Sequence, residues 1–423
     1  MIGELLLPVC VGAVLVVTLF LVPARSVRAT GLAAAMAIVM FGANDTAGNT
    51  VYRSSLIAAS LVLALALLRV RSGRKGPKGL QLTIGAWWVF AFVGSLILGT
   101  YSTQRFVFYA LAAMFAAHVA LRLDRRSVTL FLRLTMALLG AQVLLAIAEL
   151  TVMSVPLWGY RGGVRENPFV PFALVRTQGT FGHPIVFGYF MALMLVLAWT
   201  NAARLPRWLV LLAVATAGTG LFLSGTRSAV LASVAAIALH VLTRKGLARW
   251  LRNLLVVVTA AGLALGLGLG STLSTLTSEL LDSGSWVQRI GSLRSVPALL
   301  GRSPAEVWMG SGFGSDARLF EQGYFSSLYH LTVIDDMFVN ALATTGIVGL
   351  LLLLAAAVLA FVRGDRAGRA LILCTMAMMF SFDTMVWLST GIVATVVLAM
   401  PRLHEEEPAP VIVADVPALT ASA

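Results

Sequence analysis

Apolar runs near twenty residues recur from one end of this chain to the other, and nothing else in the sequence restricts its fold as strongly. A segment of ~20 largely apolar residues is long enough to cross a bilayer as an α-helix. Apolar residues make up 59% of the chain and charged residues only 12%, as expected for an all-α polytopic membrane protein. We read spans at roughly 2–22, 27–45, 53–70, 80–100, 105–123, 128–152, 184–202, 207–223, 227–243, 253–273, 337–362 and 370–400. The last run is too long for one simple crossing and is read as one span or as two short helices broken near Asp383. The expected total is therefore twelve or thirteen helices in a single transmembrane domain over residues 1–403. The first run lacks a basic leader and a small-residue cleavage site, so it is read as a true span. Residues 404–423, with Glu405, Glu406, Glu407 and three prolines, read as a disordered tail.

A net charge of +13 in a soluble protein would suggest nucleic acid, but its distribution here points elsewhere. Most of the 31 Lys and Arg, and every lysine, fall in alternate loops: Arg25 and Arg28, Arg69 to Lys78, Arg122 to Arg126, Arg204 and Arg207, Arg244 to Arg252, and Arg363 to Arg369. The positive-inside rule assigns that set to the cytoplasm. The loop at 153–183, the turn Ser224-Gly-Thr-Arg227 and a long loop at 274–336 then face outward.

Cys10 and Cys374 sit within apolar runs without metal-ligand spacing and read as packing residues. No His/Cys/Asp cluster suggests a metal, and no P-loop lysine motif suggests ATP hydrolysis. No cofactor is expected, so the driving energy must be a gradient or a bond already present in a substrate.

The 274–336 loop is the one long hydrophilic interruption in the chain. Loops of this length without a span of their own are usually functional. It carries Arg289, Arg294, Arg302, Arg318, the run Gly310-Ser-Gly-Phe-Gly-Ser315, His330 and the pair Asp335-Asp336. Ser285-Trp-Val-Gln288 has the form of a capping box. Trp286, Ile290, Leu293, Pro297 and Leu300 follow at helical spacing, as in an interfacial helix with Arg289 and Arg294 flanking its apolar stripe. The backbone amides of the glycine run, at Gly312 and Gly314, are candidate anion donors.

Outward arginines go against the topology rule and call for a role. Arg176 precedes one span, Arg227 opens another, and Arg289 lies in the loop. A guanidinium is a planar, bidentate donor suited to phosphate, although each one alone also reads as a snorkelling or capping residue. Asp335 and Asp336 immediately precede the span at 337, where an N-cap and a general base are both open readings. His183, before Pro184, sits at a helix start and reads as a turn residue or a substrate contact. Glu149 and Asp383 are acidic groups within spans, a position that marks function by default.

The order of these motifs resembles the O-antigen ligase and polysaccharide polymerase superfamily. The resemblance rests on Gly179-Thr-Phe-Gly-His-Pro184, Ser224-Gly-Thr-Arg227, Arg289, Trp308–Gly314, Asp335–Phe338 and Gly346-Ile-Val-Gly-Leu350, in that order over residues 170–355. Members are metal-independent, inverting glycosyltransferases of the bacterial cytoplasmic membrane. They move glycan from a polyprenyl diphosphate carrier to a glycan or lipid-linked acceptor on the outer side. The resemblance implies that Arg227 and Arg289 grip the diphosphate and that Asp335 and Asp336 lie at the catalytic position. Arg176, His183, Arg294, Gly312, Gly314 and His330 are the candidate substrate contacts around them. Ligases usually carry His-Asn where this chain has Asp335-Asp336, and many polymerase-like members carry Asp-Asn, so a polymerase is the closer match. A secondary transporter is the alternative, since polytopic chains with intramembrane charges also describe that class.

Overall fold

The computed structural model describes residues 12–13, 16–17, 19–42, 49–69, 77–98, 103–153, 155–159, 164–170, 174–243, 284–325, 334–400 and 402–403. The expected span at 253–273, most of that at 2–22, Cys10, His330 and the 404–423 tail lie outside them. Among the described residues the chain is all-α, and its one β feature is an isolated bridge between Glu166 and Val175.

Among the described residues, nine apolar helices follow the apolar runs closely: α1 Val27–Gly42, α2 Asn49–Arg69, α3 Lys78–Leu98, α4 Thr103–Ala120, α5 Arg125–Thr151, α6 Pro184–Thr200, α7 Arg207–Ser224, α8 Arg227–Leu242 and, after the loop, α13 Met337–Arg363. The described part of the 274–336 loop holds four short helices between α8 and α13: α9 Gly284–Arg294, α10 Val296–Leu300, α11 Pro304–Met309 and α12 Asp316–Glu321. The run at 370–400 resolves into two helices, α14 Arg366–Met379 and α15 Leu388–Ala399, with Asp383 in the turn between them. Five of the helices are long and apolar enough to cross a membrane. The shorter ones owe their place to packing. α6, at 17 residues, is buried from Val186 to Met194 and is covered by α7, α8 and α14. Its His183 cap and Pro184 at the first turn fix where it starts.

The charges sort to the two ends of the bundle. At one end Arg28 donates to the Arg122 carbonyl (3.2 Å), Arg402 Nε donates to the Arg363 carbonyl (2.9 Å), and Gly79 abuts the Arg363 guanidinium. The opposite end carries the 153–183 loop, the Gly225 turn, the α9–α12 loop and the α14–α15 turn.

α13 contains a break. Gly346 adopts φ 65° and ψ −168° inside an otherwise continuous apolar helix. The glycine run Gly310–Ser315 of the loop lies against this break. Ser311 N–H donates to the Ala343 carbonyl (2.9 Å) and Gly312 N–H to the Thr344 carbonyl (2.8 Å). A Cβ on Gly346 would lie 2.4 Å from the Trp308 carbonyl oxygen, and one on Gly310 would lie 2.3 Å from Thr344. Arg302 completes the seat: Nη1 bonds the Ala343 carbonyl (3.0 Å) and Ser311 Oγ (2.7 Å), Nη2 the Leu342 carbonyl (3.1 Å), and Nε the Leu299 carbonyl (2.9 Å). A helix break deprives the preceding turn's carbonyls of their partners, and buried carbonyls require replacements. Here a guanidinium and two loop amides supply them. Phe313 then inserts among Trp87 and Phe106, with its N–H on Ser95 Oγ (3.0 Å).

The expected apolar stripe over 286–300 needs correcting. The helix ends at Arg294, a second begins at Val296, and the phase shifts across Ser295. Leu293 and Leu300 are exposed as a result. Leu299, off the expected stripe, is fully buried against Leu319, Ile334, Val339 and Leu342.

Candidate active site

The turn that presents Arg227 is built from the preceding loop. Gly225 takes φ 59°, where a side chain would strain the backbone and where a Cβ would meet Pro168 at 2.7 Å. Asn167 Nδ2 donates to the Phe222 carbonyl (2.8 Å), and Thr177 N–H to the Leu223 carbonyl (3.0 Å). Arg176 crosses the turn, with Nε on the Ser224 carbonyl (2.7 Å) and Nη2 on Thr226 Oγ1 (3.0 Å). Its guanidinium therefore holds the turn. Burial, with Arg165 and Arg227 adding repulsion, pushes Arg176 down to about 10. Arg227, the first residue of α8, is exposed and makes no hydrogen bond or ion pair among the described residues.

Arg289 reaches the same end from α9. Its Nη2 donates to Ser381 Oγ (2.9 Å) and its Nε to the Ser381 carbonyl (3.2 Å). Ser381 Oγ lies 2.6 Å from Ser228 Oγ, on the residue next to Arg227. Two hydrogen bonds thus connect Arg289 to the start of α8. Burial lowers the pKa of Arg289, opposed by Asp335 and then Asp336, which places both carboxylates in its electrostatic reach.

The two aspartates differ in environment. Asp336 is buried and caps α13, its Oδ1 accepting from Phe338 N–H (2.8 Å) and Val339 N–H (3.1 Å). Burial raises its pKa, while those two amides and Arg289 oppose the rise. Asp335 accepts no hydrogen bond among the described residues. Burial pushes it up to about 6 against the pull of Arg289 and then Arg165. A carboxylate with free lone pairs, a pKa near neutrality and a cation beside it fits a proton acceptor.

The structure brings Arg176, Arg227, Arg289, Asp335 and Asp336 to one end of the bundle, linked through Ser228, Ser381 and the field of Arg165. Nothing in the residue spacing pointed to Ser228, Ser381 or Arg165, because each belongs to a different loop or helix end. Other candidates fall elsewhere. Gly312 is corrected: its amide is occupied by the Thr344 carbonyl, and the amide of Phe313 by Ser95, so the glycine run seats the loop instead of cradling an anion. Gly314 turns the chain at φ 79° into α12. His183 Nδ1 accepts from Ile185 N–H (3.2 Å), and its ring packs on Trp387 at 5.5 Å. Arg294 is exposed on α9, away from these contacts. Glu149, which as an intramembrane acid suggested function, accepts from Gln178 N–H (3.0 Å) and so pins the turn before α6.

The fold defines a polytopic, all-α membrane protein. No protein-family model matches the chain, and no curated protein matches it.

Proposed function

We propose that this protein is a membrane glycosyltransferase that moves or polymerises glycan units from a polyprenyl diphosphate carrier, on the outer side of a bacterial cytoplasmic membrane. One observation carries the reading. Arg289 and the start of α8 at Arg227 are joined through Ser381, and an unbonded carboxylate, Asp335, lies in the field of Arg289. In the reaction an acceptor hydroxyl attacks the anomeric carbon while Asp335 takes its proton. The bond from that carbon to the diphosphate oxygen breaks, with inversion, and the polyprenyl diphosphate leaves. Its growing charge is the main barrier, and fixed guanidinium groups lower it by electrostatic stabilisation, worth about 3–4 kcal/mol for a single donor. The energy resides in the donor, so no nucleotide or cofactor is required. The Asp at position 335 favours a polymerase over a ligase.

The broken helix α13 is the feature that would favour a secondary transporter, because transporters bind substrate at helix breaks. Here the carbonyls freed by the break are taken by loop amides and by Arg302, which seat the loop on it. The test is deletion of the gene with profiling of envelope polysaccharide. Loss of long chains with accumulated single repeats supports a polymerase, glycan of full length stranded on the carrier supports a ligase, and an unchanged profile overturns the reading.

A further inference from the structure

A cavity of about 500 Å³ lies at the end of the bundle opposite the candidate active site. Lys78 at the start of α3, Arg363 at the end of α13 and Arg402 line it, with Leu121, Leu123 and Met400 among its apolar walls. α13 runs 27 residues from Met337, next to Asp335 and Asp336, to Arg363. At ~1.5 Å per residue the cavity is about 40 Å along that helix from the proposed transfer chemistry. The two places are separate.

The lining holds three cations and no carboxylate. Asp124 and Asp365, in the turns before α5 and α14, serve as helix caps, accepting from Ser127 N–H (2.7 Å) and Gly368 N–H (2.7 Å). Arg402 Nε donates to the Arg363 carbonyl (2.9 Å), not to an acid. The Arg363 guanidinium lies against the backbone of Gly79, where a Cβ would meet Nη2 at 3.4 Å and Nη1 at 3.5 Å. It makes no hydrogen bond or ion pair of its own among the described residues.

A cation in the last turn of α13 is ordinary, because it complements the helix dipole. Lys78 is not. It opens α3 at the positive end of that helix, in a first turn with no acidic residue. Three cations and a positive helix end around one cavity repel one another, and an anion inside it offsets the repulsion. Lys78 and Arg402 are exposed, which softens the repulsion and leaves both within reach of a ligand.

Size and walls select the kind of anion. Sites for small organic ligands run from about 300 to 1,000 Å³, far more than one inorganic ion fills. Leu121, Leu123 and Met400 are buried apolar side chains, which suit an organic body attached to the charge. α3 and α13 are both long and apolar enough to cross a membrane, so their ends at Lys78 and Arg363 fall at headgroup depth. Basic pockets between membrane helices take acidic lipid headgroups.

We propose that this cavity binds an acidic glycerophospholipid, with Lys78, Arg363 and Arg402 on its phosphate and the apolar wall on its glycerol backbone. The bound lipid ties the end of α13 to the start of α3. Glu405, Glu406 and Glu407 follow Arg402 in the sequence and are the chain's own competing anions.

The test is thermal unfolding of the purified full-length chain, stripped of lipid in neutral detergent. Phosphatidylglycerol is compared with phosphatidylcholine of the same acyl chains, at fixed pH and ionic strength. A ligand bound only by the folded state raises Tm. The expected rise with phosphatidylglycerol is about 2–4 °C at saturation. It is lost in the double variant Lys78→Gln/Arg363→Gln and kept in Arg207→Gln/Arg366→Gln, which removes two exposed charges outside the cavity. Equal Tm in the two lipids overturns the proposal, whether the cavity stays empty or takes Glu405 to Glu407, and this comparison needs no variant to fold. So does a response that persists in Lys78→Gln/Arg363→Gln. A response lost equally in Arg207→Gln/Arg366→Gln would mean diffuse attraction to a basic surface, and the same rise with glycerol phosphate alone would mean a soluble ligand; either result also overturns it. Unfolding is read without glycan transfer, so failure of one reading leaves the other standing.

Discussion

Arg289 and Ser228 share one hydroxyl: Ser381 Oγ accepts from Arg289 Nη2 at 2.9 Å and lies 2.6 Å from Ser228 Oγ. A loop helix and a membrane helix are thereby coupled through a third element, the turn after α14. Ser381→Ala removes both contacts while the Ser381 carbonyl still receives Arg289 Nε. Glycan transfer by this variant is expected to fall about tenfold, or ~1.4 kcal/mol of barrier, with little change in Tm. A reconstituted assay with a polyprenyl-diphosphate-linked glycan measures it.

Arg227→Lys is expected to fail nearly as badly as Arg227→Ala in the same assay. Arg227 is held by its turn and makes no bond of its own among the described residues, so its guanidinium fork is available for a bidentate phosphate contact. A lysine supplies the charge without the fork. Full activity of the lysine variant would reduce Arg227 to a role in topology or lipid contact.

The two aspartates are expected to separate. Asp335→Asn should lose on the order of 10²–10⁴ in rate, since an amide takes no proton. Asp336→Asn should retain most activity, because asparagine caps a helix about as well. Asp336→Ala should instead cost ~1 kcal/mol of stability through the lost cap. Wild-type rates in Asp335→Asn would remove the base from the mechanism.

Asp335 also sets a pH dependence. Its pKa is pushed up to about 6, so the rate is expected to rise with pH through about 6 and to level off above. Stability follows the opposite sign. A carboxyl whose pKa is raised on folding binds its proton more tightly in the folded chain. Its contribution is fully present below about 4 and is lost as pH rises through about 6. Asp335→Asn should remove both effects, which rate profiles and thermal melts across pH 4–8 would show.

Gly346→Ala is expected to destabilise the whole protein, not only its activity. The left-handed φ and the contact with the Trp308 carbonyl leave no room for a methyl group. Arg302→Lys should act in the same direction, because three carbonyls and a hydroxyl share one planar donor. Thermal melts in detergent compare both with the parent chain.

Most membrane helices were legible because burial in lipid leaves continuous apolar runs whose ends coincide with charges, caps and prolines. The 370–400 run was long enough to suggest a break near Asp383, and the structure puts one there. The break at Gly346 was not legible. The apolar run continues through it, and glycine is ordinary in packed membrane helices. The glycine run of the loop read as an anion cradle because its sequence does not record that the helix it meets lacks hydrogen bonds. The segment 285–300 misled in another way. Its helical spacing was real, but a change of direction at Ser295 moved Leu299 inward and Leu300 outward. At the site the arginines and the aspartates were recognisable by residue type, while the connecting serines became visible only once distant elements met.

The seating of the loop in α13 has a consequence for biogenesis. Phe313 bonds Ser95, 218 residues earlier, and Arg302 bonds carbonyls of a helix made after the loop has been synthesised. The segment therefore cannot acquire its shape as it emerges. It must wait until α13 has been made and has opened at Gly346. A ribosome stalled before that point would leave the segment without its seat, and most open to proteolysis.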